Sequence, residues 1–109
     1  MATEASLMTP EIVQGLAAAL FGLGLTAAVI RRNIFVVLMG VELMLNAVNL
    51  SFIGFARTHG GDASVLGQMA PLFTIAIAAA EACVGLAMVI LLVRSKDTID
   101  ADAFSTMKE

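Results

Sequence analysis

Residues 33–56 read NIFVVLMGVELMLNAVNLSFIGFA, a run between Arg32 and Arg57 whose single charge is Glu42. At about 1.5 Å of rise per residue such a helix is long enough to cross a hydrocarbon core of roughly 30 Å with some tilt. The flanking runs have the same character. Ile12 to Ile30 is nineteen residues without a charge, or about 28 Å of helix. Ala63 to Val93 carries only Glu81. That last run is too long for one straight span, so its helix is expected from about Gln68, with Pro71 in the first turn where a missing N–H costs little, to Val93. None of the runs has the two-residue alternation of a membrane barrel. The expected fold is an all-α integral membrane protein of a single domain, residues 1–109, with helices at about 11–30, 34–56 and 68–93 and a short polar tail, 94–109.

Composition leads to the same place. Of the 109 residues, 60% are hydrophobic and only 14% charged, with a mean hydropathy of +0.96. A soluble domain of this size buries under about 70% of its unfolded surface, and charged residues normally make up roughly a quarter of a globular chain. Lipid is therefore the solvent. A net charge of -3, six basic residues and one cysteine exclude a nucleic-acid binder, a disordered tail and a disulfide scaffold.

The first run is expected to be a retained helix and not a cleaved signal, because the leader MATEASLMTPE is acidic and the run is followed by Arg31-Arg32-Asn33. The leader also has no arginine, unlike a mitochondrial presequence. Arg31 and Arg32 lie between helices one and two, and Arg94, Lys96 and Lys108 follow helix three, whereas the other side has Arg57 and His59 beside Asp62. The positive-inside bias puts the first loop and the C-terminus in the cytoplasm and the N-terminus outside. HGGDASVLGQ reads as a turn between helices and not as a phosphate loop, since it has neither a preceding strand nor a lysine.

The chemistry rests on two acids. A charge at the centre of an isolated span costs about 2.5–3.5 kcal/mol, and such groups usually face a protein interior and serve transport. Glu42 stands ten residues from Arg32, about 15 Å, and Glu81 thirteen from Arg94, about 20 Å, so both lie close to the midplane. Glu42, Asn46 and Asn49 share one face of helix two, and Thr74, Ala78, Glu81 and Gly85 share one face of helix three. This patterning suits two protonatable stations with Asn46, Asn49 and Thr74 as supporting polar groups. The competing reading is neutral, hydrogen-bonded helix glue.

Other residues carry less. Cys83 falls on the side of its helix away from Glu81 and suits packing. His59 beside Asp62 lacks the further ligands a metal needs. Gly15, Ala18, Ala19 and Gly22 have the small-xxx-small spacing of close helix contact. Arg31-Arg32 is a topology signal that could also dock on a partner's acids. Trp and Tyr are absent, so the usual interfacial belt is missing, and three helices cannot shield two carboxylates from lipid unaided. The chain is therefore expected among other membrane subunits and not alone.

The segments RRNIFVVLMGVELMLNAVNLSF, GQMAPLFTIAIAAAEACVGLAMVILL and TIDADAFSTMK together resemble the subunit K family of proton-pumping NADH–quinone oxidoreductase, respiratory complex I. The likeness covers nearly all of the chain from Arg31 onward. VELMLNAVNL combined with AAAEACVGLA is its most specific part, and Pro71 is a departure. The resemblance implies that Glu42 and Glu81 belong to a line of buried ionisable groups along the membrane arm, with Arg31 and Arg32 in the cytoplasmic loop. It implies that quinone reduction in other subunits drives the proton movement, that NADH, FMN, iron–sulfur clusters and quinone belong to those subunits, and that this chain binds no cofactor or metal. The single cysteine and the lack of a dinucleotide glycine motif agree. Implied partners are other membrane subunits, antiporter-like ones included, in a bacterial inner membrane in preference to an organellar one.

Rival readings are the small subunit of a multisubunit cation/proton antiporter or of a membrane-bound hydrogenase, and a purely structural spacer. The paired acids and the TID tail favour complex I. A multidrug transporter of this length would have four spans and aromatic residues, and a rotor-ring subunit two helices and one acid.

Overall fold

A computed structural model describes residues 8–103. Three helices follow in order: α1 (Pro10–Ile30), α2 (Ile34–Ala56) and α3 (Gly61–Lys96). All three are long and apolar enough to cross a membrane. Lys108 and the rest of the expected tail beyond residue 103 lie outside the described residues.

The helix ends follow from local chemistry. Thr9 caps α1, its hydroxyl accepting from the Ile12 N–H at 3.4 Å, and Pro10 opens the first turn, where no intrahelical N–H bond is lost. Asn33 caps α2 by accepting from the Phe35 N–H at 2.9 Å. Arg57 to Gly60 form a tight turn in which the Thr58 N–H reaches the Phe55 carbonyl and the His59 N–H the Ala56 carbonyl. Gly61 opens α3 at φ 62, a left-handed conformation that glycine adopts without a side-chain penalty. At the far end Asp97 turns the chain at φ 53, ψ 34, just after Arg94 and Lys96 have placed positive charge on the last turn.

This corrects the expected third span. The helix starts at Gly61 and not near Gln68, so Pro71 sits in its interior and most of HGGDASVLGQ is helix instead of turn. The physical reason is packing. A Cβ added at Gly67 would stand 2.8 Å from Ala56 Cβ, so the segment upstream of Pro71 is pressed against the end of α2. Proline inside a membrane helix is tolerated where neighbours support the freed backbone. With 36 residues, α3 is about 54 Å long, which accounts for most of the molecule's 59 Å axis.

The helices pack as α1 on α2 and α2 on α3. The core is made of small residues: the buried apolar side chains are Ala17, Ala47, Ala56, Ala78 and Val89. The seam between α1 and α2 is closest where two glycines meet. A Cβ on Gly24 would come within 2.6 Å of the Gly40 carbonyl oxygen, and one on Gly40 within 2.7 Å of the Gly24 oxygen. Gly15 and Gly22, expected to mediate close helix contact, have nothing within 4 Å of an added Cβ. Within this chain the close face of α1 is thus another one, set by Ala17 and Gly24. A short backbone pairing of Asn33 with Asp100 brings the segment after α3 to the α1–α2 loop, so this loop and the end of α3 lie at one end of the bundle.

Candidate functional site

Two contacts fix the register of α2 against α3. Gly67 faces Ala56, and a Cβ on Gly85 would stand 3.2 Å from Leu38 Cδ1. These contacts are eighteen residues apart along each antiparallel helix. Counting four residues inward from Leu38 and four back from Gly85 brings Glu42 level with Glu81. The same count brings Asn49 level with Thr74.

The four residues differ in environment. Glu42 is half-buried and Glu81 exposed on the shoulder of α3, beside an open hollow lined by Ala80, Val84, Gly85 and Met88. Asn49 is only 5% exposed, and its Oδ1 has no hydrogen-bond partner among the described residues. Thr74 is half-buried and its hydroxyl donates to the Ala70 carbonyl at 3.0 Å. Asn46, expected with them, is exposed. Packing explains the division: Glu42 and Asn49 lie nearest the line of α2 along which Leu38 and Ala56 meet α3, while Asn46, on the same broad face, lies further round and is exposed.

Neither carboxyl has a hydrogen-bond or ion-pair partner among the described residues, so neither joins the helices of this chain. The polar link that does so was missed from sequence. Gln14 Nε2 donates to the Ser51 carbonyl at 3.0 Å, and Ser51 Oγ donates to Gln14 Oε1 at 2.5 Å. Their signal was available in the near-equal distances of Gln14 and Ser51 from the α1–α2 loop, which place them opposite each other in an antiparallel hairpin.

Arg31 and Arg32 are both exposed. Arg32 Nε lies 3.3 Å from Asp102 Oδ2, and Arg31 has no ion pair among the described residues. Cys83 is a free, exposed thiol. His59 is exposed, with Nδ1 2.8 Å from the Phe55 carbonyl and 3.0 Å from Thr58 Oγ1.

Three apolar helices around an alanine–glycine core, with one carboxyl half-sheltered at the seam and another turned outward, define a small membrane subunit that presents ionisable groups to its surroundings. Residues 12–109 match the family described as NADH-ubiquinone/plastoquinone oxidoreductase chain 4L. Three similar curated proteins are each named NADH-quinone oxidoreductase subunit K. The one from Myxococcus xanthus is 52% identical, over 85% of this chain and 90% of its own length. That from Anaeromyxobacter sp. strain K is 46% identical over 94% of this chain and all of its own. That from Thermomicrobium roseum is 50% identical over 86% and 89%. The chain belongs to this family.

Proposed function

We propose that this chain is a membrane-arm subunit of a proton-translocating NADH–quinone oxidoreductase in which Glu42 and Glu81 act as proton relay stations. The observation that carries the relay is their placement: they lie level across the α2–α3 seam, and neither is engaged inside the chain. Carboxyls that served as internal glue would be paired. Glu81, turned outward in an apolar span, needs a protein neighbour, because lipid contact would be costly to its charged form. The route is then lateral, from the half-buried Glu42 to Glu81 and on to a group of the neighbouring subunit. Each transfer breaks one carboxyl O–H bond and forms another on the acceptor. Asn49 and Thr74, level with each other two turns away, extend the polar seam toward the Arg57 turn.

The chain itself would supply protonatable side chains and no redox group, with NADH, FMN, iron–sulfur clusters and quinone held by partner subunits. The names of the relatives support complex I over the antiporter and hydrogenase readings. Their bacterial sources support a bacterial inner membrane. The loop with Arg31 and Arg32 and the end with Arg94 and Lys96 share one end of the bundle, which supports a cytoplasmic loop and C-terminus with the N-terminus outside.

The test is Glu42→Gln, which keeps the size and most hydrogen bonding but removes the titratable proton. Proton pumping per assembled complex is expected to fall at least about tenfold, a conservative figure beside the roughly 10²–10⁴-fold that a positioned acid–base group contributes. Glu42→Asp should retain more activity than Glu42→Gln. Glu81→Gln should give a milder loss, because its hollow is open to water or a neighbouring group. Full pumping by the Glu42→Gln, Glu81→Gln double variant would leave the structural-spacer reading in place.

A further inference from the structure

After α3, residues 97–103 turn the chain back onto the bundle. Asp97 reverses its direction in a left-handed conformation, with its N–H on the Val93 carbonyl at 2.6 Å. The segment then runs antiparallel to the α1–α2 loop. The Ala101 N–H donates to the Arg32 carbonyl at 3.0 Å, and the Ile34 N–H donates to the Ile99 carbonyl at 3.0 Å. These two bonds flank the Asn33–Asp100 pair. Three further contacts hold the segment in shape: the Asp100 N–H on Thr98 Oγ1, the Asp102 N–H on Asp100 Oδ1, and Lys96 Nζ on the Ala103 carbonyl. Asp102 also reaches Arg32, but the two side chains are 77% and 68% exposed, so backbone pairing and not the ion pair is the main grip.

We infer that residues 97–103 form a clasp that locks the α1–α2 loop to the end of α3 and divides the arginine pair, holding Arg32 inside the chain and leaving Arg31 for contacts beyond it. This does not rest on the proton-relay reading. Without the clasp, α1 is joined to α3 chiefly through α2. With it, the loop and the end of α3 move as one body, and a neighbour docking on Arg31 meets a fixed surface.

The geometry offers a direct test in the assembled complex. A pair flanked by two ladder bonds in this way is the close type, with Cα atoms about 4.5 Å apart, inside the range a disulfide spans. In a Cys83→Ser background, Asn33→Cys with Asp100→Cys should give a disulfide in most copies under mild oxidation. Gly60→Cys with Asp100→Cys, at opposite ends of the bundle, should give none. Adding Ala101→Pro removes the N–H that bonds Arg32 and should lower the yield at least threefold, whereas Ala101→Ser keeps that N–H and should not. A yield no higher than that of the Gly60 pair, or one indifferent to Ala101→Pro, overturns the clasp. The unmodified complex gives a second reading that does not depend on how the variants assemble. The Ala101 amide should exchange hydrogen at least tenfold more slowly than in a free peptide, and exchange at the free-peptide rate also overturns the inference.

Discussion

Gln14 and Ser51 show how little polar chemistry is needed to pin two helices in an apolar solvent. Their two reciprocal hydrogen bonds sit beside Gly54, where a Cβ would be 2.9 Å from Gln14 Nε2, so the amide is held in place by backbone on one side and by Ser51 on the other. Ser51→Ala removes one of the two bonds and leaves the Gln14 carbonyl without its donor. Interhelical hydrogen bonds in membranes are worth about 0.6 kcal/mol on average and about 1.7 at most, so a loss of about 1 kcal/mol in the α1–α2 hairpin is expected, measured by denaturation in mild detergent. Gln14→Leu should cost a similar amount, and the double variant little more than either. Costs that simply add would mean the two residues act separately. Asn49 makes the complementary point, since it is a buried amide whose oxygen is not used to hold helices. From sequence Asn46 and Asn49 looked alike. Only the packing of α2 against α3 separates the inward residue from the outward one.

Along the helices, hydrophobic pattern is a poor guide to direction, because in lipid the outside of a helix is as apolar as its interior. The first two spans, and the level of Glu42 with Glu81 across the antiparallel α2–α3 seam, could be obtained by counting residues from the charged ends. The outward position of Glu81 and the contact face of α1 could not. Both depend on where backbones touch, and that was fixed by Gly24, Gly40, Gly67 and Gly85 and not by the more regular Gly15–Gly22 spacing. The start of α3 differs from the sequence expectation for a related reason: proline suggests a boundary, while contact of Gly67 with α2 carries the helix through it. Two substitutions two residues apart in α1 distinguish these faces. Gly24→Leu drives a side chain into the Gly40 backbone and should destabilise the hairpin by at least about 1–3 kcal/mol, the usual range for overpacking. Gly22→Leu points into open space within the chain and should leave the hairpin intact. If Gly22→Leu, alone or with Ala18→Leu, nevertheless lowers the amount of assembled complex on native gels, that side of α1 meets a neighbouring subunit. Normal assembly would mean it meets lipid.

For the molecule as a whole, the expected sidedness is tested by labelling. In a Cys83→Ser background, a cysteine at Arg31 should resist an impermeant thiol reagent added to intact cells and react once the membrane is opened. One at Gly60 should react from outside. The reverse pattern would invert the orientation and place the clasp on the outer face. Legibility at this scale was uneven. Composition alone required lipid and neighbours, whereas the return of residues 97–103 to the α1–α2 loop has no hydrophobic or periodic signature, because it is built from main-chain bonds that any residue except proline can make.

The alanine–glycine interior has a consequence for how long this chain survives. Its described residues include no large side chain that is fully enclosed, and its leucines, isoleucines and phenylalanines mostly face outward. Most of the contact that could hold it in one shape therefore belongs to surfaces shared with other chains. Its stability should behave as a mass-action quantity: above saturation, each tenfold rise in available partner adds about 1.4 kcal/mol. Copies made in excess of their partners would lack that support and be open to a membrane protease, so supply of the neighbouring subunits would set the steady-state level of this one.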